Sequence, residues 1–163
     1  MQLNQDLIES DDHALRWVTF RLENESYGIN VTQVREVLRV SEIAPVPGTP
    51  HYVLGIINLR GNVVTVMDTR KRFGLRDREP GSDDDATRIV IIEVDEQEVG
   101  IMVDSVAEVV DLRESDIETA PSVGNDETSR YIQGVTSRDG ELLILVDLNK
   151  LLTEEEWSEM QTF

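Results

Sequence analysis

Tyr27-Gly28-Ile29, followed by Val34, Glu36 and Val37, recurs later in the chain as Val99-Gly100-Ile101, followed by Val106, Glu108 and Val109. Each matched pair stands 72 residues apart. A second block repeats with it: Tyr52, Gly55, Gly61 and Asp68 match Tyr131, Gly134, Gly140 and Asp147, each 79 residues apart. A fixed period of this kind marks a repeated structural unit. The change of period places a seven-residue insertion between Leu112 and Arg130, a stretch with Pro121, Gly124 and small polar residues that reads as a loop. The repeat divides the 163 residues into two similar subdomains, 15–80 and 86–152, within one domain spanning 1–163. They join near Leu75 to Ala86, where Pro80, Gly81 and Asp83-Asp84-Asp85 favour an extended, solvated linker.

Working outward from the repeat, the segments read as short strands. Trp17 to Glu23 alternates apolar with mostly polar residues, as a strand with one buried face does. Tyr27 to Asn30 is a second strand, turned from the first at Asn24-Glu25-Ser26. Asn30 suits the cap of a brief helix, and Val34 to Val40 reads as one helical turn followed by a strand. Gly55–Leu59 and Val63–Met67 flank a tight turn at Arg60-Gly61-Asn62. Arg88–Val94 pairs with Glu98–Val103, and Ile132–Thr136 with Glu141–Val146 around the Asp139-Gly140 turn. A terminal helix over 153–161 starts at Thr153, with Glu156 as capping-box partner and Leu152 and Trp157 as a hydrophobic staple. About ten strands in two sets of five predict a mainly β fold: two small five-stranded barrels, since closure removes exposed strand edges.

Composition narrows the function. A net charge of −18 repels nucleic-acid phosphates and anionic membrane surfaces. The absence of cysteine excludes disulfides and thiolate metal sites. No apolar run reaches the roughly 18 residues of a membrane span, and the polar, acidic Met1 to Asp12 lacks the pattern of a signal peptide. The expected compartment is the cytoplasm. His13 reads as a solvated residue, His51 as a loop or edge residue between Pro50 and Tyr52, and Asp83 to Asp85 as linker rather than cation site. Asp68 and Asp147 invite a carboxylate-hydrolase reading, but each ends a strand before a short helix-like segment and suits a helix cap. No nucleotide loop or nucleophile elbow is present. The expectation is a non-enzymatic protein with no metal and no cofactor.

The ordered series Tyr27-Gly28-Ile29, Val34-Arg35-Glu36-Val37, Pro45, Pro47 and Pro50, then Gly55-Ile56-Ile57-Asn58-Leu59-Arg60-Gly61, resembles the CheW family of chemotaxis coupling proteins. Val63 to Asp68 with Arg70, Val99 to Asp104 and Gly140 to Asp147 extend the resemblance over Trp17 to Leu152, and Asn58-Leu59-Arg60-Gly61 is its most specific block. The resemblance implies two SH3-like barrels around a common core. It implies an adaptor without catalytic groups, joining the cytoplasmic tip of methyl-accepting chemoreceptors to the regulatory domain of the CheA histidine kinase. Carried over by motif position, receptor contacts fall on Val34, Glu36, Arg60, Gly100, Val106 and Val109. Val34, Val106 and Val109 equally suit barrel core, and Gly100 a purely geometric role. Kinase contacts fall on the segment Ile43 to Gly55 and its neighbour, with Ile43, Val46 and Ile56 as exposed apolar candidates. An adaptor of another receptor–kinase array, for twitching motility or gene regulation, would carry the same motifs.

Overall fold

The computed structural model describes residues 14–78, 85–119 and 130–161, and among these described residues there are ten strands and a few short helices. The strands run β1 Ala14–Leu22, β2 Glu25–Asn30, β3 Val34–Arg39, β4 Val53–Leu59, β5 Asn62–Asp68, β6 Arg88–Val94, β7 Gln97–Val103, β8 Ser105–Arg113, β9 Ile132–Arg138 and β10 Glu141–Val146. Helix α1 is Thr69–Arg72 and helix α2 is Glu154–Gln161. Short 3-10 turns cover Val31–Gln33, Glu114–Asp116 and Leu148–Lys150. The turn after β1 falls at Glu23 and Asn24, one residue earlier than expected, with Glu23 in the left-handed region at φ 56°. Pro80, Gly81, Asp83, Asp84, Pro121 and Gly124 lie outside the described residues, so the linker and much of the insertion loop do too.

Two five-stranded sheets result. Sheet I has the order β8-β1-β2-β10-β9, and sheet II the order β3-β6-β7-β5-β4. The repeat is visible in their register: β2 runs parallel to β10 with Gly28 opposite Leu145, and β7 runs parallel to β5 with Gly100 opposite Val66. The sheets do not follow the expected division at 80/86. Sheet II holds β3 to β7, while sheet I is made of β1 and β2 from the start of the chain and β8 to β10 from its end. Each half thus supplies a hairpin to the sheet completed by the other half. In each sheet the chain beyond one edge strand bridges the opposite edge strand. Ala44 and Ile56 exchange two backbone hydrogen bonds of 2.9 Å, so the chain beyond β3 reaches β4 at the opposite edge. Glu118 and Val135 do the same beyond β8 at 2.8 Å. These bridges cover edge groups that would otherwise stand open.

Packing follows the strand faces. Val18, Phe20 and Leu22 of β1 join Tyr27 and Ile29 of β2, Val90 and Ile92 of β6, and Ile101 and Val103 of β7 in a core lying between the sheets. Trp17 points the other way, into a core private to sheet I with Leu143 and Leu145. Its repeat mate Ile89 does the same in sheet II with Val64 and Val66. Thr19 breaks the expected alternation and is buried. Its hydroxyl donates to the Glu108 carbonyl at 2.9 Å and accepts from the Glu108 N–H at 3.0 Å, filling the irregularity between Val18 and Phe20 in the β1–β8 ladder. The shared core ends in an aromatic run, Phe20–Tyr27–Phe73–Tyr131. The Arg72 guanidinium lies over both Tyr52 and Tyr131, at 4.7 and 5.4 Å from the ring centres, and pairs with Glu156 at 2.7 Å. Glu156 also closes the expected capping box with Thr153, so α2 is fastened to the seam between the sheets.

Two carboxylates hold this assembly from partly buried positions. Burial alone raises the Asp104 carboxyl, but hydrogen bonds from Arg70 and the Glu23 N–H, with the charges of Arg70 and Arg78, hold it below the usual carboxylate range. Burial likewise raises Glu156, and the Thr153 N–H and Arg72 bring it below its ordinary value. A carboxyl depressed in the folded state adds stability above its unfolded pKa and loses it as pH falls through the folded one. Stability in urea is therefore expected to hold from neutrality to about pH 5 and to fall below about pH 4. Asp104→Asn should flatten that acid limb, and an unchanged limb would contradict the assignment.

Gly55 tests the edge closure. It sits at φ 151°, and a Cβ there would meet the Ala44 carbonyl oxygen at 2.2 Å. Gly61, at φ 87°, has nothing within 4 Å of the same position. Gly55→Ala is expected to cost about 3 kcal/mol of unfolding free energy, from strain and overpacking together. Gly61→Ala should cost only about 1–2 kcal/mol, from backbone conformation alone. Equal losses in urea titrations would show that the crossing at Ala44 is not tight.

Candidate interaction surfaces

Arg60 occupies the two-residue turn between β4 and β5, at φ 51° with Gly61 beside it, the left-handed pair that such hairpins require. The turn aims its guanidinium across the closed edge of sheet II at Glu36 on β3. One bond runs from Nη1 to Oε1 at 3.3 Å, and Nη2 bonds Oε2. Arg60's hydrogen bonds hold the Glu36 carboxyl below its usual range, and the carboxylate raises Arg60 in return. Arg60 remains 70% exposed, so the pair sits at the surface and is available to a partner. The tip of the other closing hairpin repeats the arrangement: Arg138 pairs with Glu108 at 3.4 Å on sheet I. The sequence marks Glu36 and Arg60 as candidates, Glu108 only as the repeat mate of Glu36, and misses Arg138, which stands one residue before the repeat mate of Arg60.

The other receptor candidates divide between the sheets. Val34 begins β3 and Val106 lies at the start of β8; both are half-buried against the shared core. Val109, on β8, is 56% exposed, and its repeat mate Val37 on β3 is also exposed, a surface valine absent from the expected set. Gly100 is buried in β7. A Cβ there would lie 2.9 Å from Ile89 Cγ2 and 3.3 Å from Val66 Cγ2, so its need for glycine lies in packing, and the expected surface contact at Gly100 is corrected to an interior role. The structure thus joins Glu36 directly to Arg60, sets Val34 on the same sheet, and carries Val106 and Val109 on the other.

Ile43 and Ile56 come together. They line an open depression on sheet II with Glu42, Ala44, Ile57, Asn58 and Val63. The expectation that Ile43, Val46 and Ile56 are exposed is corrected: all three are half-buried. The Ala44–Ile56 bridge draws the segment down onto β4, and Ile43 packs against the core of sheet II. Val46 lies outside the depression's lining, its carbonyl accepting the Thr49 hydroxyl at 3.0 Å. Val63, 65% exposed, completes the apolar rim. Its signal was present in the alternation Val63-Val64-Thr65-Val66, whose second and fourth residues are buried.

The residues considered for chemistry are spent on structure. Asp68 caps α1 on sheet II, accepting the Arg70 N–H at 3.0 Å and the Lys71 N–H at 3.4 Å. Asp147 caps the 3-10 turn after β10 on sheet I, accepting the Asn149 N–H at 3.0 Å. His13 lies outside the described residues; His51 is exposed, its ring edge-on to Tyr52. Among the described residues no group of three or more His, Cys, Asp or Glu is placed to hold a metal ion, and no helix is long and apolar enough to cross a membrane.

Two five-stranded sheets carry exposed apolar residues such as Val37, Val63 and Val109, and the carboxylates of Asp68, Asp104, Asp147 and Glu156 are engaged in caps and ion pairs. Residues 16–156 match the CheW-like domain, and the chain belongs to that family. It is 34% identical over 147 residues to chemotaxis protein CheW of Treponema pallidum, covering 90% of this chain and 86% of that one. It is 36% identical over 140 residues to chemotaxis protein CheW of Bacillus subtilis, covering 86% and 88%. The crystal structure of the scaffolding protein TtCheW from Thermoanaerobacter tengcongensis superposes with a TM-score of 0.77 at 34% identity, over 85% of this chain and 92% of that one.

Proposed function

We propose that this chain is a non-catalytic chemotaxis scaffold that couples chemoreceptors to the CheA histidine kinase. The observation that carries the reading is the likeness, over most of both chains, to a solved scaffolding protein and to chemotaxis proteins at about one-third identity. Geometry supports it. The candidate receptor residues Val34, Val106 and Val109 offer apolar surface from two sheets, suited to one face of a receptor helix. Glu36 and Arg60 stand at the rim, where charge-assisted bonds set register more than affinity. Gly100 serves the surface from within, by letting β7 lie close to Ile89 and Val66. The depression around Ile43, Ile56 and Val63 is the proposed seat of the kinase regulatory domain, and Val46 stabilises the segment leading from it. The chain would work at the cytoplasmic face of receptor arrays.

The same surfaces suit another receptor–kinase array, one for twitching motility or gene regulation. The identity of the co-purifying kinase distinguishes the two. A carboxylate hydrolase finds no support, since Asp68 and Asp147 cap helical turns attached to different sheets.

Titration against a receptor-tip fragment and against the CheA regulatory domain tests the proposal. Arg60→Ala is expected to weaken the receptor fragment about tenfold, the worth of one lost charge-assisted bond, and to leave the kinase domain unaffected. Val63→Asp should do the reverse. Equal losses for both partners, or binding to neither by the unaltered chain, would overturn the assignment.

A further inference from the structure

The chain passes between the sheets at two places. Residues 31–33 carry it from β2 of sheet I to β3 of sheet II, and the single residue Asp104 carries it from β7 back to β8. Thr32 and Asp104 are repeat mates, 72 residues apart. Their surroundings differ. At the first crossing the bonds are local: the Thr32 N–H and hydroxyl both donate to Asn30 Oδ1, at 2.9 and 2.7 Å. At the second, one side chain spans the junction. The Asp104 N–H donates to the Arg21 carbonyl of β1 at 3.0 Å, and its Oδ2 accepts the Glu23 N–H in the β1–β2 turn at 2.8 Å, both on sheet I. The same carboxylate accepts Arg70 Nε at 3.0 and 3.1 Å, and Arg70 Nη2 as well; Arg70 belongs to α1, which follows β5 of sheet II. Arg78 Nη2 reaches Oδ1 at 3.1 Å, while its Nη1 donates to Thr87 just before β6 of sheet II at 2.8 Å.

The apolar core between the sheets resists their separation, but burial of apolar area has little directional preference. Guanidinium–carboxylate bonds are directional, and stronger where water is partly excluded. Arg70 and Asp104 are 15% and 19% exposed. β8, with Val106 and Val109, starts at the residue after Asp104; β3, with Val34 and Glu36, starts at the residue after the other crossing. An orientation set at Asp104 is therefore delivered directly to the β8 edge of the proposed receptor surface, and through Arg70 and Arg78 to sheet II, which carries the β3 edge.

We propose that Asp104 is a positioning residue, a pin joining sheet I to sheet II through Arg70 and Arg78 that fixes the mutual orientation of the two sheets and so the spacing of Val34 and Val106. The consequence for binding rests on the receptor surface spanning both sheets; the kinase depression lies on sheet II alone and does not depend on the pin.

The test uses the full chain. It has no cysteine, so Arg39→Cys on β3 and Gln133→Cys on β9, both exposed, place one spin label on each sheet. Dipolar distances are then measured with Asp104 intact, with Asp104→Asn and with Asp104→Glu. A single narrow distribution is expected with Asp104, a broadened or displaced one with Asn, and partial recovery with Glu. In parallel titrations Asp104→Asn should lose about tenfold or more for the receptor-tip fragment and stay within about twofold for the kinase regulatory domain. An unchanged distribution in folded Asp104→Asn overturns the pin, as does an equal loss for both partners. Arg78→Gln, which removes one guanidinium and keeps Arg70, replaces Asp104→Asn if that variant does not fold, with the same outcomes read. A broadened distribution in a chain whose unaltered form binds no receptor fragment upholds the pin and removes the receptor reading instead.

Discussion

Between β2 and β8 the chain leaves sheet I unfinished, builds all five strands of sheet II, and only then returns. Sheet I is closed by strands more than seventy residues from its first hairpin. Neither sheet is the product of one half of the chain, so the sheets form interdependent parts of one domain. The core between them is laid down by β1, β2, β6 and β7, the two exchanged hairpins, and each hairpin turns its other face into the private core of its own sheet. Pairings of such long sequence separation are costly in loop entropy and slow to form. The short crossings at 31–33 and at Asp104 leave little freedom between the sheets once both exist.

This constraint explains why the repeated positions are so regular. Gly28 and Gly100 sit where a hairpin strand lies parallel to its neighbour, opposite Leu145 and Val66. Gly55 and Gly134 sit where the chain crosses a sheet edge, against Ala44 and Glu118. The Tyr52 and Tyr131 carbonyls accept the Asp68 and Asp147 N–H groups at 2.7 and 2.8 Å. These residues serve the architecture, whereas the proposed partner surfaces carry valines, isoleucines and the Arg60–Glu36 pair. Such surfaces bind through complementarity of shape and charge.

Much of this was legible beforehand. Nine of the ten strand segments, the tight turns at Arg60-Gly61 and Asp139-Gly140, and the caps at Asp68, Asp147 and Thr153 follow from alternation, turn chemistry and the period of the repeat; β8, Ser105–Arg113, was not marked as a strand, although Val106, Glu108 and Val109 lie in the repeat. The exchange of hairpins was not. A repeat reports which segments are alike, and β1 and β6 are alike enough in apolar pattern that pairing within a half or across halves satisfies the same residues. Among the surface residues, Glu36 and Arg60 were found because they stand in the motifs that carry the family resemblance. Ile43, Val46 and Ile56 were expected to be exposed because an edge-closing bridge at Ala44 leaves no local pattern. The pairing of Arg138 with Glu108 was hidden by its one-residue displacement from the repeat.

In the proposed complex a receptor helix is gripped by both sheets at once, without chemistry. Backbone amide hydrogen exchange of the chain, alone and saturated with a receptor-tip fragment, tests it most directly. Added protection is expected at the start of β3, on sheet II, together with β8, on sheet I, with little change around the β4 depression. Protection confined to one sheet, or none at either strand, would contradict it.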